Sequence, residues 1–193
     1  MCKRSPMSSR LQLHALHRLR SIRRSFPGPV LQSLLSCLVL SRLDHGNAVL
    51  DGISVHLKRL QSVINSAARL VFSSSKFDHE TPLLRQLHWL SAPWRINFKL
   101  AVLAFKCLHG LAPSYLADEL HHPAETEFRQ RLRSASSPAL SVPRTRLSIY
   151  GDRAFPVAAA RVWNSLPQHV TSASTLSTFC IRLKTHYHNF CYP

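Results

Sequence analysis

Apolar residues recur along most of this chain at intervals of three and four, the spacing that lines one face of an α-helix. Leu13, Leu16 and Leu19 share one side of a first predicted helix, with Arg18, Arg20, Arg23 and Arg24 among and after them. Phe26-Pro27-Gly28-Pro29 is a strong break. Val30, Leu31, Leu34, Leu35, Leu38, Leu40 and Leu43 then predict a helix that is apolar on most faces and therefore buried. Asp44-His45-Gly46-Asn47 interrupts the pattern, which resumes over residues 55–72. There Leu57, Leu60, Ile64, Ala67, Ala68 and Val71 form a core-facing stripe, flanked by Lys58, Arg59 and Arg69. Ser73-Ser74-Ser75-Lys76 closes that helix.

Residues 81–89 predict a short helix carrying Leu83, Leu84 and Leu87. Residues 95–109 predict a longer one, with Ile96, Leu100, Leu103, Ala104, Cys107 and Leu108 on its stripe. Gly110 stands where a left-handed cap residue is expected, and Ser114 is placed to cap a short helix over 115–120. From 121 to 148 the chain turns polar and proline-punctuated, with Arg129, Arg131 and Arg133. Residues 149–170 are mixed, and a last amphipathic helix is expected from about Ser174, with Leu176, Phe179, Ile181, Leu183 and Tyr187 on one side. The expected fold is mostly α: a helical bundle with a looser C-terminal module of loops, short strands where the pattern permits them, and a final helix. The expected division is a basic lead-in (1–28), a helical core (29–120), a linker (121–148) and a C-terminal module (149–193).

Charge changes the picture. Lys and Arg number 25 against 9 Asp and Glu, a formal net charge of +16. Such an excess predicts affinity for a polyanion, with nucleic acid first and an anionic membrane surface second. Hydrophobic residues make up 45% of the chain, enough for a core. The five cysteines (Cys2, Cys37, Cys107, Cys180 and Cys191) are odd in number and show no repeated spacing. Cys37 and Cys107 lie in helix-patterned apolar stretches, which suits small hydrophobes in a reducing compartment, nuclear or cytoplasmic. No run approaches the roughly 18 apolar residues of a membrane span, and the basic start lacks the apolar segment of a secretory signal. Seven Lys or Arg and no acid within the first 28 residues also match a mitochondrial transit peptide.

The chemistry of catalysis is sparse. Metal-dependent phosphoryl or nucleotidyl transfer requires converging carboxylates. The nine acids are Asp44, Asp51, Asp78, Glu80, Asp118, Glu119, Glu125, Glu127 and Asp152. Only Asp118 and Glu119 adjoin, and helical neighbours point about 100° apart. Cys180, His186, His188 and Cys191 offer zinc-ligand types, but their spacing matches no knuckle and incidental placement explains them better. Gly-x-Ser-x-Gly is absent, and neither Gly110 nor Gly151 opens a phosphate loop. The reading is a non-enzyme with no cofactor and no metal. Its candidate contacts to RNA or DNA are Arg18, Arg20, Arg23, Arg24, Lys58, Arg59, Arg129, Arg131 and Arg133, each adding salt-sensitive attraction. Trp89, Trp94 and Trp163 are rings of the kind that stack on bases, although aromatics beside leucines more often serve a core.

These elements carry an ordered series of short motifs. It begins Arg20-Ser21-Ile22-Arg23-Arg24-Ser25, Ser41-Arg42-Leu43-Asp44, Gly46-Asn47-Ala48-Val49-Leu50 and Leu60-Gln61-x-Val63-x-Asn65-x-Ala67-Ala68-Arg69-Leu70-Val71. It continues through Asp78-His79-x-Thr81-Pro82-Leu83-Leu84, Leu87-His88-Trp89-Leu90, Arg95-Ile96-x-Phe98-Lys99 and Leu108-His109-Gly110-Leu111-Ala112-Pro113-x-Tyr115-Leu116. Val142-Pro143-Arg144-Thr145-Arg146, Gly151-Asp152-Arg153-Ala154-Phe155 and Trp163-Asn164-Ser165-Leu166-Pro167 complete it. From about residue 12 onward the series resembles the region after the polymerase domain in open reading frame 2 of vertebrate LINE-class non-LTR retrotransposons.

The resemblance implies a helical thumb-like and post-thumb region that helps hold template RNA and the primer–template duplex. The catalytic palm and the endonuclease lie upstream of that region, so no catalytic residue is carried over. The expectation is a separate reading frame left from such a polyprotein, binding RNA or DNA with low specificity. The chain departs from the family pattern at His45-Gly46, where Tyr-Cys is frequent, and at Glu80, where an Ile is frequent. Both departures suit a decaying copy. Two other readings stand beside this one: a translated genomic remnant without selected activity, and an imported mitochondrial or structural partner protein.

Overall fold

The computed structural model describes residues 16–44, 54–121, 139–147 and 151–192, and among these every regular element is a helix. The chain divides into two compact units, Met1–Arg95 with His188–Pro193, and Ile96–Tyr187.

In the first unit, α1 (16–22) buries Leu16 and Leu19, three residues apart on one face, while the residues between them face solvent. Leu13 lies outside the described residues. A 3-10 turn, Arg23–Ser25, and the extended Phe26 end the helix. Pro27 is extended and a proline sits in the first turn of α2 (Gly28–Leu35), where no intrahelical donor is needed. α2 runs on through a π-helical stretch, Ser36–Leu40, into a last α turn, Ser41–Asp44. The expectation of a helix buried on most faces needs correction. Leu31, Leu35, Val39, Leu40 and Leu43 are buried, but Val30 and Leu38 are 42% and 41% exposed, because only one side of this helix is covered. The π turn inserts extra backbone and moves the covered stripe onto the adjacent pair Val39 and Leu40. The Ser41 hydroxyl donates to the Cys37 carbonyl within it, a back-bond that bends helices. Cys37 is exposed, not a core residue.

α3 (Ser54–Phe72) lays Val63, Ile64, Ala67, Ala68 and Leu70 against that stripe, and Leu84, Leu87, Trp89, Ala92 and Tyr192 complete the cluster. α4 (Glu80–Gln86) follows, and α5 (Ala92–Leu108) begins in this unit. A buried asparagine organises these helices. Gln61 Nε2 donates to Asn65 Oδ1 at 2.7 Å, and Asn65 Nδ2 donates to Glu80 Oε1 at 2.9 Å. At either end, the Ala92 N–H donates to Gln61 Oε1 at 2.8 Å, and Arg69 Nη2 donates to Glu80 Oε2 at 2.8 Å. One polar chain thus pins the starts of α4 and α5 to the side of α3. Glu80 accepts at its end, a role that an apolar side chain there could not fill. Arg95 and Asp44 add a two-pronged ion pair, with Nε to Oδ1 at 2.9 Å.

Three helices end in the same way. After α3, α4 and α5 the chain turns left-handed at Ser73 (φ +63°), His88 (φ +53°) and Gly110 (φ +67°). In each case the next N–H reaches back to a carbonyl in the last turn: Ser74 to Arg69 at 3.1 Å, Trp89 to Leu84 at 3.0 Å, Leu111 to Lys106 at 2.8 Å. This is the Schellman arrangement, and glycine occupies it at least cost. Ser73→Gly is therefore expected to raise stability by about 1 kcal/mol, since the left-handed region costs an L-residue roughly that much. The midpoint of urea unfolding checks it.

In the second unit, α5 buries Ile96, Leu100, Ala101, Ala104 and Phe105. The short α6 (Ser114–Ala117) starts one residue before the expected helix, with Pro113 and not Ser114 at its cap position. α7 (Phe155–Asn164), α8 (Gln168–Thr171) and α9 (Leu176–Cys191), the last as far as Tyr187, complete the unit. Short strands were allowed for 149–170, yet residues 155–164 are helical, with Pro156 in the first turn and the adjacent Ala158, Ala159 and Ala160 almost fully enclosed. On α9 the Phe179, Leu183 and Tyr187 stripe is buried, whereas Ile181 is 68% exposed because it falls off the four-residue step. The Thr175 hydroxyl accepts the Thr178 N–H, an N-cap contact. Phe179 stacks between Phe105, at 4.5 Å, and Trp163, at 5.9 Å.

Segment 139–147 is held by side chains. Asn164 grips Leu140 from both sides, accepting its N–H at 2.7 Å and donating to its carbonyl at 2.9 Å. Asp152 accepts from Thr145 and Arg161 at 2.9 and 3.0 Å, contacts that hold its carboxyl below the usual carboxylate range, the Arg161 bond contributing most. A Cβ on Gly151 would meet the Thr145 Cβ at 2.5 Å, so only glycine fits beside that threonine.

Candidate nucleic-acid interface

The arginine cluster rides on α1 and its terminal turn. Leu16 and Leu19 anchor the helix, which leaves Arg18, Arg20 and Arg24 exposed and Arg23 half-buried. Lys58 and Arg59 are also exposed, on α3 of the same unit. Arg129, Arg131 and Arg133 lie outside the described residues.

Not all of these cations meet. A cavity of about 310 Å³ opens where α1 faces the end of α3. Leu16, His17, Arg20 and Arg23 line it from one side, Ser66, Arg69 and Leu70 from α3, and Ser74 and Lys76 from the loop that follows. Arg18, Arg24, Lys58 and Arg59 stand outside it. Sequence reasoning took Arg69 as a helix flank and Ser73-Ser74-Ser75-Lys76 as a helix stop, so it missed what they line. The left-handed turn at Ser73 sends the chain back beside Arg69 and brings Ser74 and Lys76 to the cavity.

The acids near the cavity each have a partner, Glu80 on the cavity-lining Arg69 itself. Glu80 takes Arg69 and Asn65, and Asp78 Oδ2 accepts the Ser75 N–H at 2.7 Å. Among the described residues, no carboxylate pairs with Arg20, Arg23 or Lys76. Arg69 is held in place by Glu80 and the Asp78 carbonyl. Its Nε is buried with no hydrogen-bond partner among the described residues.

The aromatic candidates separate by burial. Trp89 and Trp163 are each 6% exposed and serve the cores of their units. Trp94 is half-buried, its ring 5.7 Å from that of Phe190. An open ring that sequence reasoning passed over is Phe77, next in the chain to the cavity-lining Lys76: it is 83% exposed, with Lys76 Nζ 4.8 Å from its centroid.

Among the described residues, no three His, Cys, Asp or Glu side chains gather as a metal site. His186 faces His169, and its pKa is lowered by burial first and by His169 second. His188 packs on His88 and Tyr192, whose hydroxyl donates to the Trp89 carbonyl at 2.7 Å. Burial pushes the Cys107 and Cys180 thiols up, away from the reactive thiolate. No described helix is long and apolar enough to cross a membrane. Comparison with protein-family models, with curated proteins and with solved structures gives no match for this chain.

Proposed function

We propose that this chain is a non-catalytic, nucleic-acid-binding fragment derived from the region downstream of the polymerase core in a LINE-class retrotransposon reverse transcriptase. It binds RNA or DNA through the phosphate backbone, with low sequence specificity and strong salt dependence, in the nucleus or cytoplasm. One observation carries the reading: Arg18, Arg20, Arg23 and Arg24 sit on a short helix and its terminal turn, which two buried leucines fasten to the first unit, in a chain of net charge +16. Fixed to a folded surface, those side chains meet phosphates without first ordering the backbone beneath them, an entropy loss that a disordered basic tail incurs on binding. Each neutralised phosphate releases counterions, so affinity falls steeply with salt.

The test is binding to RNA and DNA oligonucleotides across a salt series, on protein whose helical circular dichroism is intact. Changing Arg18, Arg20, Arg23 and Arg24 together to Ala is expected to reduce the slope of log affinity against log salt by about 3, at 0.7–0.9 per contact. An unchanged slope, or binding only after the helices melt, would leave ancestry without present binding.

A further inference from the structure

We infer that the cavity between α1 and the end of α3 is a binding site for single-stranded nucleic acid, holding one backbone phosphate among Arg20, Arg23, Arg69 and Lys76 while a neighbouring base stacks on Phe77. The inference rests on the nucleic-acid reading above and narrows it to a strand class and a place.

Four observations converge. The cavity's volume, about 310 Å³, sits at the lower end of small-ligand pockets, a size for one nucleotide rather than a whole groove. Its cationic side chains outnumber its acids, since Arg20, Arg23 and Lys76 have no carboxylate partner among the described residues and Asp78 is turned to a backbone N–H. Arg69 is held in position on the cavity wall by Glu80 and the Asp78 carbonyl. Finally, Phe77 is 83% exposed, the most open of the large apolar side chains among the described residues, and so presents a free ring face. It follows the cavity-lining Lys76 in the chain, and the Lys76 ammonium lies over its ring. A basic recess beside an open aromatic face is the arrangement by which sequence-tolerant proteins hold single strands. A duplex keeps its bases stacked on one another and has none to lay on the ring.

Fluorescence anisotropy decides it, using the full chain with a labelled single-stranded oligonucleotide and, in parallel, its duplex. Phe77 touches no core, so Phe77→Ala leaves the fold intact. It is expected to weaken single-strand binding about five-fold or more, the loss of one stacked base, while duplex binding moves by less than about two-fold. Phe77→Tyr should restore the single-strand affinity. Equal losses on both strands, or none on either, would overturn the inference. If Phe77→Ala is silent while the four-arginine variant still loses salt-sensitive binding, the site falls and the broader reading stands. If the unaltered chain binds neither oligonucleotide, both fall.

Discussion

Replacing Phe179 with Ala is expected to destabilise the second unit by about 3–5 kcal/mol, the usual cost of emptying a buried aromatic site. Phe179 is fully buried and stacks on both Phe105 and Trp163, so α9 loses its contact with α5 and α7 at one point. Because the rings belong to three helices, none can collapse into the space without moving its helix. A loss of this size is a large part of a domain's total stability. The thermal midpoint should fall by at least about 12 °C, taking the smaller figure and 4 °C per kcal/mol. Ile181→Ala is the matched control on the same helix. Ile181 is 68% exposed, and its removal should change stability by less than about 0.5 kcal/mol. Comparable losses for the two variants would mean that α9 is not packed as described.

The second large effect is expected at Asn65. Asn65→Ala removes the middle of the polar chain and should cost about 2–3 kcal/mol, because Gln61 Nε2 and Glu80 Oε1 both lose their partner in a partly enclosed setting. Gln61 also accepts the Ala92 N–H. Loosening its amide should therefore accelerate hydrogen exchange at Ala92, although that residue is far along the chain from the substitution. Simple cavity formation on α3 predicts no such remote effect. Unfolding midpoints and the exchange rate of that one amide together distinguish a relay from a void. An Ala92 amide as slow as in the unaltered chain would remove the relay as the explanation.

The helical class, and most of the helices, were legible in the spacing of apolar residues. Leu16 with Leu19, Ile64 with Ala67 and Ala68, Ile96 with Leu100 and Ala104, and Phe179 with Leu183 and Tyr187 are buried where their periodicity placed them. Gly110 was legible as a left-handed cap because glycine alone reaches that region without steric cost. Ser73 and His88 make the same turn and were not, since no local rule marks a serine or a histidine for it; the backbone bonds that close α3 and α4 impose the conformation. Residues 155–164 read as mixed because their apolar positions are nearly continuous, a pattern that periodicity alone does not assign to one element.

Of the candidate interface, the sequence by itself determined the material: the excess of positive charge, the four arginines of α1 and its terminal turn, and the two leucines that fix which side of that helix faces out. Those follow from composition and from a period of 3.6, and both are local properties. Only the tertiary structure decided which cations share a cavity. Arg69 and Lys76 lie more than forty residues from Arg20 along the chain, and they join it because α3 docks on α1 and the turn at Ser73 reverses the chain. Burial was likewise a tertiary decision, removing Trp89 and Trp163 as stacking surfaces and leaving Phe77 open. Which face of an apolar residue is covered depends on what packs against it, and no window of neighbouring residues contains that partner.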